Sequence, residues 1–135
     1  MNNNKITHLG SGDTLYPDSP SKDTLDFFEN PSPGRDYAIE FETSEFTSLC
    51  PVTSQPDFAK IKISYIPDKK CIESKSLKLY LFSYRNHQGF AEEIVNRILD
   101  DIVGVLSPLE AYVEGFFTPR GGISITVSAE YDKES

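Results

Sequence analysis

The hydrophobic period of this chain changes twice, and that constrains its fold more than any other feature. Tyr37-Ala-Ile-Glu-Phe-Glu-Thr43 alternates, with Tyr37, Ile39 and Phe41 on one side and Glu40 and Glu42 on the other. Lys60-Ile-Lys-Ile-Ser-Tyr-Ile66 alternates in the same way, with Ile61, Ile63 and Tyr65 inward. A period of two with one apolar face predicts a half-buried strand. The period then lengthens. Leu77, Tyr80, Leu81 and Tyr84 fall at the i, i+3, i+4 and i+7 spacing of one helical face, with Ser74 placed to cap the helix. Arg85-Asn-His-Gln-Gly89 breaks the pattern. Phe90, Ile94, Ile98 and Ile102 then recur at every fourth position and predict a second helix ending near Gly104. Alternation returns in Leu109–Phe117 and Gly122–Ala129, joined as a hairpin through Thr118-Pro-Arg-Gly-Gly122.

The predicted order is strand, strand, helix, helix, strand, strand, an α+β fold. Four strands with one apolar face make a single antiparallel sheet, covered on that face by the two helices. Such a sheet has two open edges, which favour pairing with other subunits. Residues 1–36, rich in Ser, Asp, Asn, Pro and Gly, read as an extended arm before a single domain over 37–135. Within the arm, Thr24-Leu-Asp-Phe-Phe28 reads as one helical turn or a docking patch, and Pro67-Asp-Lys-Lys70 reads as a turn after the second strand.

Composition narrows the function classes. With 135 residues the chain is the size of one ordinary domain and can bury a real core. Its net charge of −8 argues against duplex nucleic acid, whose binding needs clustered Lys and Arg. No run is apolar enough to span a bilayer and the first residues lack the apolar core of a signal peptide, so a cytoplasmic protein with reduced thiols is expected.

The chemistry is expected in Phe46-Thr-Ser-Leu-Cys50-Pro-Val-Thr-Ser-Gln-Pro-Asp57, which reads as a connection too irregular to be a strand. Cys50 with an acid seven residues on suggests a thiolate nucleophile and a proton donor. The plainer alternatives are a small buried cysteine and a turn-capping aspartate. Cys71 reads as structural. In Glu73-Ser-Lys-Ser-Leu-Lys-Leu-Tyr80, two lysines sit at a helix start, where the macrodipole disfavours cations, as though an anion were to be met there. The plainer alternative is a solvated first turn. No Cys/His cluster has zinc spacing, and no metal is expected.

These segments together resemble a known family. Glu73-Ser-Lys-Ser-Leu-Lys-Leu-Tyr80, Phe46-Thr-Ser-Leu-Cys50-Pro with Gln55-Pro-Asp57, Arg85-Asn-His-Gln-Gly-Phe90 and Pro119-Arg-Gly-Gly-Ile123 are similar to segments of the short form of NADPH-dependent 7-cyano-7-deazaguanine reductases. These are the nitrile reductases of queuosine biosynthesis, in the tunnelling-fold (T-fold) superfamily. The likeness runs from about Leu9 to Val127.

The resemblance implies a ββααββ T-fold unit joined edge to edge into a barrel-like homo-oligomer, two stacked pentameric rings, with sites between subunits. It implies Cys50 as the nucleophile that forms a thioimide and Asp57 as the proton donor. Ile72, Glu73, Ser74, Phe90, Ala91 and Glu92 would meet the deazapurine nitrile. Lys75, Lys78 and Arg120 are the candidates for the phosphates of NADPH. The family's usual His before the second glutamate is Ala91 here, which puts turnover rather than fold in question. His87 already matches another family histidine and does not replace it. The alternatives are a related enzyme acting on pterins or GTP, whose zinc ligands this chain lacks, and a non-catalytic purine- or pterin-binding ring protein.

Overall fold

The computed structural model describes residues 16–134. Residues 1–15 of the expected arm lie outside the described residues. Strands β2 (Ile39–Leu49), β3 (Pro56–Ile66), β5 (Glu110–Arg120) and β6 (Ile123–Asp132) form one sheet in the order β2-β3-β5-β6. Every neighbouring pair is antiparallel. Helices α1 (Ser74–Phe82) and α2 (Ala91–Leu106) stand between the two hairpins in sequence, linked by a 3-10 turn over Ser83–Asn86. The order ββααββ is therefore as the periodicity predicts.

The core lies where the apolar faces meet. Ile61, Ile63 and Val113 of the sheet and Ile94, Ile98 and Ile102 of α2 are all fully or almost fully buried. Each such side chain contributes about 1.5–3 kcal/mol of transfer free energy. Gly115 lets α2 approach, because a Cβ there would lie 2.8 Å from Val95 Cγ2 and 2.9 Å from Phe117 Cε1. Tyr80 and Tyr84 are buried and satisfy their hydroxyls internally. The two oxygens lie 2.8 Å apart, and Tyr80 also donates to Asp101 at 2.6 Å.

Several boundaries depart from the pattern. β2 continues through Phe46 to Leu49, so the connection holding Cys50 is only the stretch 50–55. A register shift between Thr43 and Phe46 resets the alternation and hides the second half of the strand from a period-two reading. α1 is capped by Glu73, not Ser74: the Glu73 carboxylate accepts from the amides of Ser76 at 2.7 Å and Lys75 at 3.0 Å. α2 runs two residues past Gly104 and closes at Ser107, in the left-handed region, with Pro108 next. The β5–β6 hairpin turns on Gly121 and Gly122 alone, both at positive φ (57° and 78°), as a two-residue turn requires.

A second, two-stranded sheet was not legible in the pattern. β1 (Phe27–Glu29) pairs with β4 (Lys70–Ile72). It holds residues 25–29 against the start of α1. Leu25 is fully buried, and the Glu73 amide donates to the Asp26 carbonyl at 2.9 Å.

Candidate active site

The end of the sheet where β2 gives way to β3 carries Cys50. The Cys50 amide donates to the Gln55 carbonyl at 2.8 Å, and the Ser54 amide returns to the Cys50 carbonyl at 2.8 Å. Ser54 takes a φ of 61° to make this turn. The loop therefore wraps back on the half-buried Cys50 thiol. The Thr53 hydroxyl and then the Thr53 and Val52 amides hydrogen-bond the sulfur and bring its pKa below the ordinary thiol value. Burial and the negative charge of Asp57 act in the opposite direction.

Asp57 lies one residue into β3, in register opposite Ser48. Its carboxylate pairs with Arg120 of β5, Nε to Oδ1 at 2.7 Å. Arg120 also donates through Nη2 to the Pro56 carbonyl at 2.8 Å. The guanidinium read from the sequence as a phosphate ligand is thus engaged within the Cys50 end of the sheet. The Ser48 hydroxyl, fully buried beside this pair, has no hydrogen-bond partner among the described residues.

The segment joining α1 to α2 seals one side of the loop. The Leu49 amide donates to the His87 carbonyl at 2.9 Å, and the Gly89 amide donates to the Leu49 carbonyl at 3.1 Å. The Gln88 side chain reaches Ser54 Oγ at 3.1 Å. Phe90, 58% exposed, is the N-cap residue of α2, and Ala91 and Glu92 form its first turn. Phe90, Ala91 and Glu92 therefore stand at the same end of the subunit as Cys50 and Asp57. Glu92 is exposed in a first turn that favours carboxylates.

Ile72, Glu73 and Ser74 stand elsewhere. The Ile72 amide donates to the Tyr65 hydroxyl at 2.8 Å, near the far end of β3. Asp57 and Tyr65 are eight residues apart on that strand. At about 3.3 Å per residue this is a separation of about 26 Å. Lys75 and Lys78 share the exposed face of α1. A cleft of about 400 Å³ opens between β2 and α1, lined by Thr43, Phe46, Ser74, Leu77, Lys78 and Arg85 among others. It holds two of the predicted binding residues but neither Cys50 nor Asp57. Asp57, beside the Cys50 loop, and Ile72, beside Glu73, thus lie toward opposite ends of β3.

Comparison with known proteins gives the family. The family model described as QueF-like protein matches residues 56–135. The NADPH-dependent 7-cyano-7-deazaguanine reductases of Bacillus cytotoxicus and Staphylococcus aureus (strain Newman) are each 52% identical over 128 residues. Those alignments span 95% of this chain and 78% and 77% of the two relatives. The chain belongs to the QueF-like family. A solved structure of the archaeosine synthase QueF-Like in the apo form aligns with a TM-score of 0.67 at 22% identity, over 76% of this chain and 96% of that one. At that identity the likeness shows a shared fold, and the fold is the QueF-like α+β unit.

Thr53, Gln88 and the contact of Arg120 with Asp57 escaped sequence reasoning. Thr53 had a signal, since a hydroxyl three residues after a nucleophile can reach it when the chain turns back. The other two contacts join positions 34 and 63 residues apart.

Proposed function

We propose that this protein reduces the nitrile of 7-cyano-7-deazaguanine to the primary amine with NADPH, in queuosine biosynthesis. The observation that carries the reading is the Cys50 loop: a thiol surrounded by three hydrogen-bond donors, with a carboxylate at the start of the next strand. The thiolate adds to the nitrile carbon, the Sγ–C bond forms, one C≡N π bond opens, and the nitrogen takes a proton. The proton lost by the thiol balances the one the nitrogen gains, and Asp57 is the group we assign to carry it. When bound, two NADPH would supply the two hydrides, with two protons drawn from solvent, that take the thioimide through the imine to the amine and release the cysteine.

Substrate binding falls to Glu92, whose carboxylate suits the N–H edge of a deazaguanine, with Phe90 as a stacking surface. Glu73 completes recognition, with Ile72 and Ser74 beside it. Lys75 and Lys78 offer the charge for the cofactor's phosphates, and Lys78 at the rim of the apolar cleft fits a ligand with both flat and anionic parts. The distance between the Cys50 end and the Glu73 end supports a site completed between subunits. The open edges of β2 and β6 supply the means, through a ring of copies paired edge to edge.

Intact-protein mass after incubation with 7-cyano-7-deazaguanine and no NADPH tests this reading. One substrate mass per subunit is expected, absent in Cys50→Ala. No adduct, in this chain and in Ala91→His alike, would overturn it.

A further inference from the structure

Two groups that favour negative charge share the Cys50 loop and the residues just after it. Hydrogen bonds from Thr53 and Val52 favour the thiolate form of the sulfur, and the Asp57 carboxylate opposes it. The charged and titratable side chains on the surrounding elements are Asp57 of β3, Arg120 of β5, His87 on the segment leading into α2, and Glu92 and Glu93 in the first turn of α2. His87 and Glu93 pair with each other at 2.9 Å. Arg120 is the cation paired with Asp57.

Arg120 is built into this position. β5 loses its regular register with β6 between Phe117 and Arg120, and such irregularities re-aim side chains. Immediately afterwards Gly121 and Gly122 turn the chain, so Arg120 ends its strand at a fixed point paired with Ile123. From there its guanidinium contacts the Asp57 carboxylate and the Pro56 carbonyl at once. A lysine offers one charge but not this fork, while a neutral side chain offers no charge at all.

We propose that Arg120 is a positioning residue of the reaction: by pairing with Asp57 it lets the Cys50 thiolate and the Asp57 carboxylate stand together at one end of the sheet. Without it, the carboxylate is uncompensated and the proton returns to the sulfur. The proposal rests on the reading of Cys50 as the nucleophile.

The test is the pH dependence of Cys50 alkylation by iodoacetamide, followed by intact mass and identification of the modified peptide. Cys71, 2% exposed, is shielded and serves as an internal control. The wild type is compared with Arg120→Gln, Arg120→Lys and the double variant Asp57→Asn/Arg120→Gln. In Arg120→Gln the midpoint moves to higher pH and alkylation at pH 7 slows by roughly three- to tenfold. Arg120→Lys recovers most of the loss, and the double variant alkylates at least as fast as the wild type. An Arg120→Gln protein that titrates like the wild type would overturn the proposal. So would a double variant as slow as the single one, because the loss would then not act through Asp57. If the wild-type thiol titrates as expected but no nitrile adduct forms, the substrate reading fails while the Arg120 series still decides this one.

Discussion

His87 and Glu93 meet at 2.9 Å directly over Gly89. A Cβ on Gly89 would come 2.4 Å from Glu93 Oε1 and 2.9 Å from His87 Nε2. The pair joins the segment that borders Leu49 to the first turn of α2, so it couples the strand leading to Cys50 to the helix carrying Glu92. Gly89→Ala forces the pair apart. Since the displaced atoms are ends of side chains, stability falls by only about 1 kcal/mol or less. Adduct formation with the nitrile slows several-fold while alkylation of Cys50 by iodoacetamide keeps its rate. Parallel measurement of the two rates checks this, and equal slowing of both would refute it.

The Thr53 hydroxyl is the largest single cause of the lowered Cys50 pKa. The thiolate fraction rises with pH through that value, so lowering it moves full reactivity toward neutral pH. Thr53→Val removes the hydroxyl and keeps the backbone donors. Its alkylation profile moves toward higher pH without reaching that of an ordinary thiol. Full displacement to the ordinary thiol range would mean that the amides do nothing.

Ala91 opens α2 between Phe90 and Glu92, where the resemblance leads one to expect histidine. Ala91→His adds a proton-bearing group next to the proposed substrate carboxylate. Steady-state NADPH oxidation rises by roughly tenfold or more, on the scale of one general acid–base group. The rate of adduct formation changes much less. Side-by-side turnover and adduct kinetics decide the matter, and no gain in turnover would count against a catalytic role at that position.

Two buried serines give opposite expectations. Ser76 Oγ accepts from the Asp26 amide at 2.8 Å and donates to the Glu73 carbonyl at 2.7 Å. Ser76→Ala removes both hydrogen bonds of this buried serine and costs about 1–3 kcal/mol. Ser48 Oγ has no partner among the described residues, so Ser48→Ala leaves stability unchanged or raises it. Thermal unfolding of the two variants should move in opposite directions or, for Ser48, not at all.

Burial pushes the hydroxyls of Tyr65, Tyr80 and Tyr84 above the ordinary value of 10.0. A raised folded-state value stabilises fully below the unfolded value and loses that contribution as pH rises beyond it. Stability therefore declines above about pH 10. Phenolate absorbance should show these three tyrosines ionising only as the chain unfolds. Ionisation of all seven tyrosines before unfolding would refute the burial argument.

What was legible in the chain followed from repetition. Ile94, Ile98 and Ile102 announce the buried stripe of α2, and the alternation of Ile61, Ile63 and Tyr65 announces the inner face of β3. The continuation of β2 was hidden because its register shift breaks the alternation. The three-residue strands β1 and β4 are too short to show a period, and they pair across more than forty positions. The cap of α1 was misplaced by one residue because serine is the commoner cap, whereas here a longer carboxylate reaches the same amides. Cys50 and Asp57 could be proposed from local chemistry, but the Arg120 contact is made only by the folded sheet.

The sulfur of Cys50 draws its donors from Val52 and Thr53 of its own loop, so its pKa is lowered before anything binds. A thiol whose ionisation is favoured and that is half open to solvent is also exposed to peroxide, and its oxidation passes through sulfenic acid to forms that cannot be recovered. Cys71 is too deeply buried to act as a decoy. The proposed readiness for a nitrile and the vulnerability to oxidants thus share one six-residue loop, and a substrate resting on the sulfur would shield it.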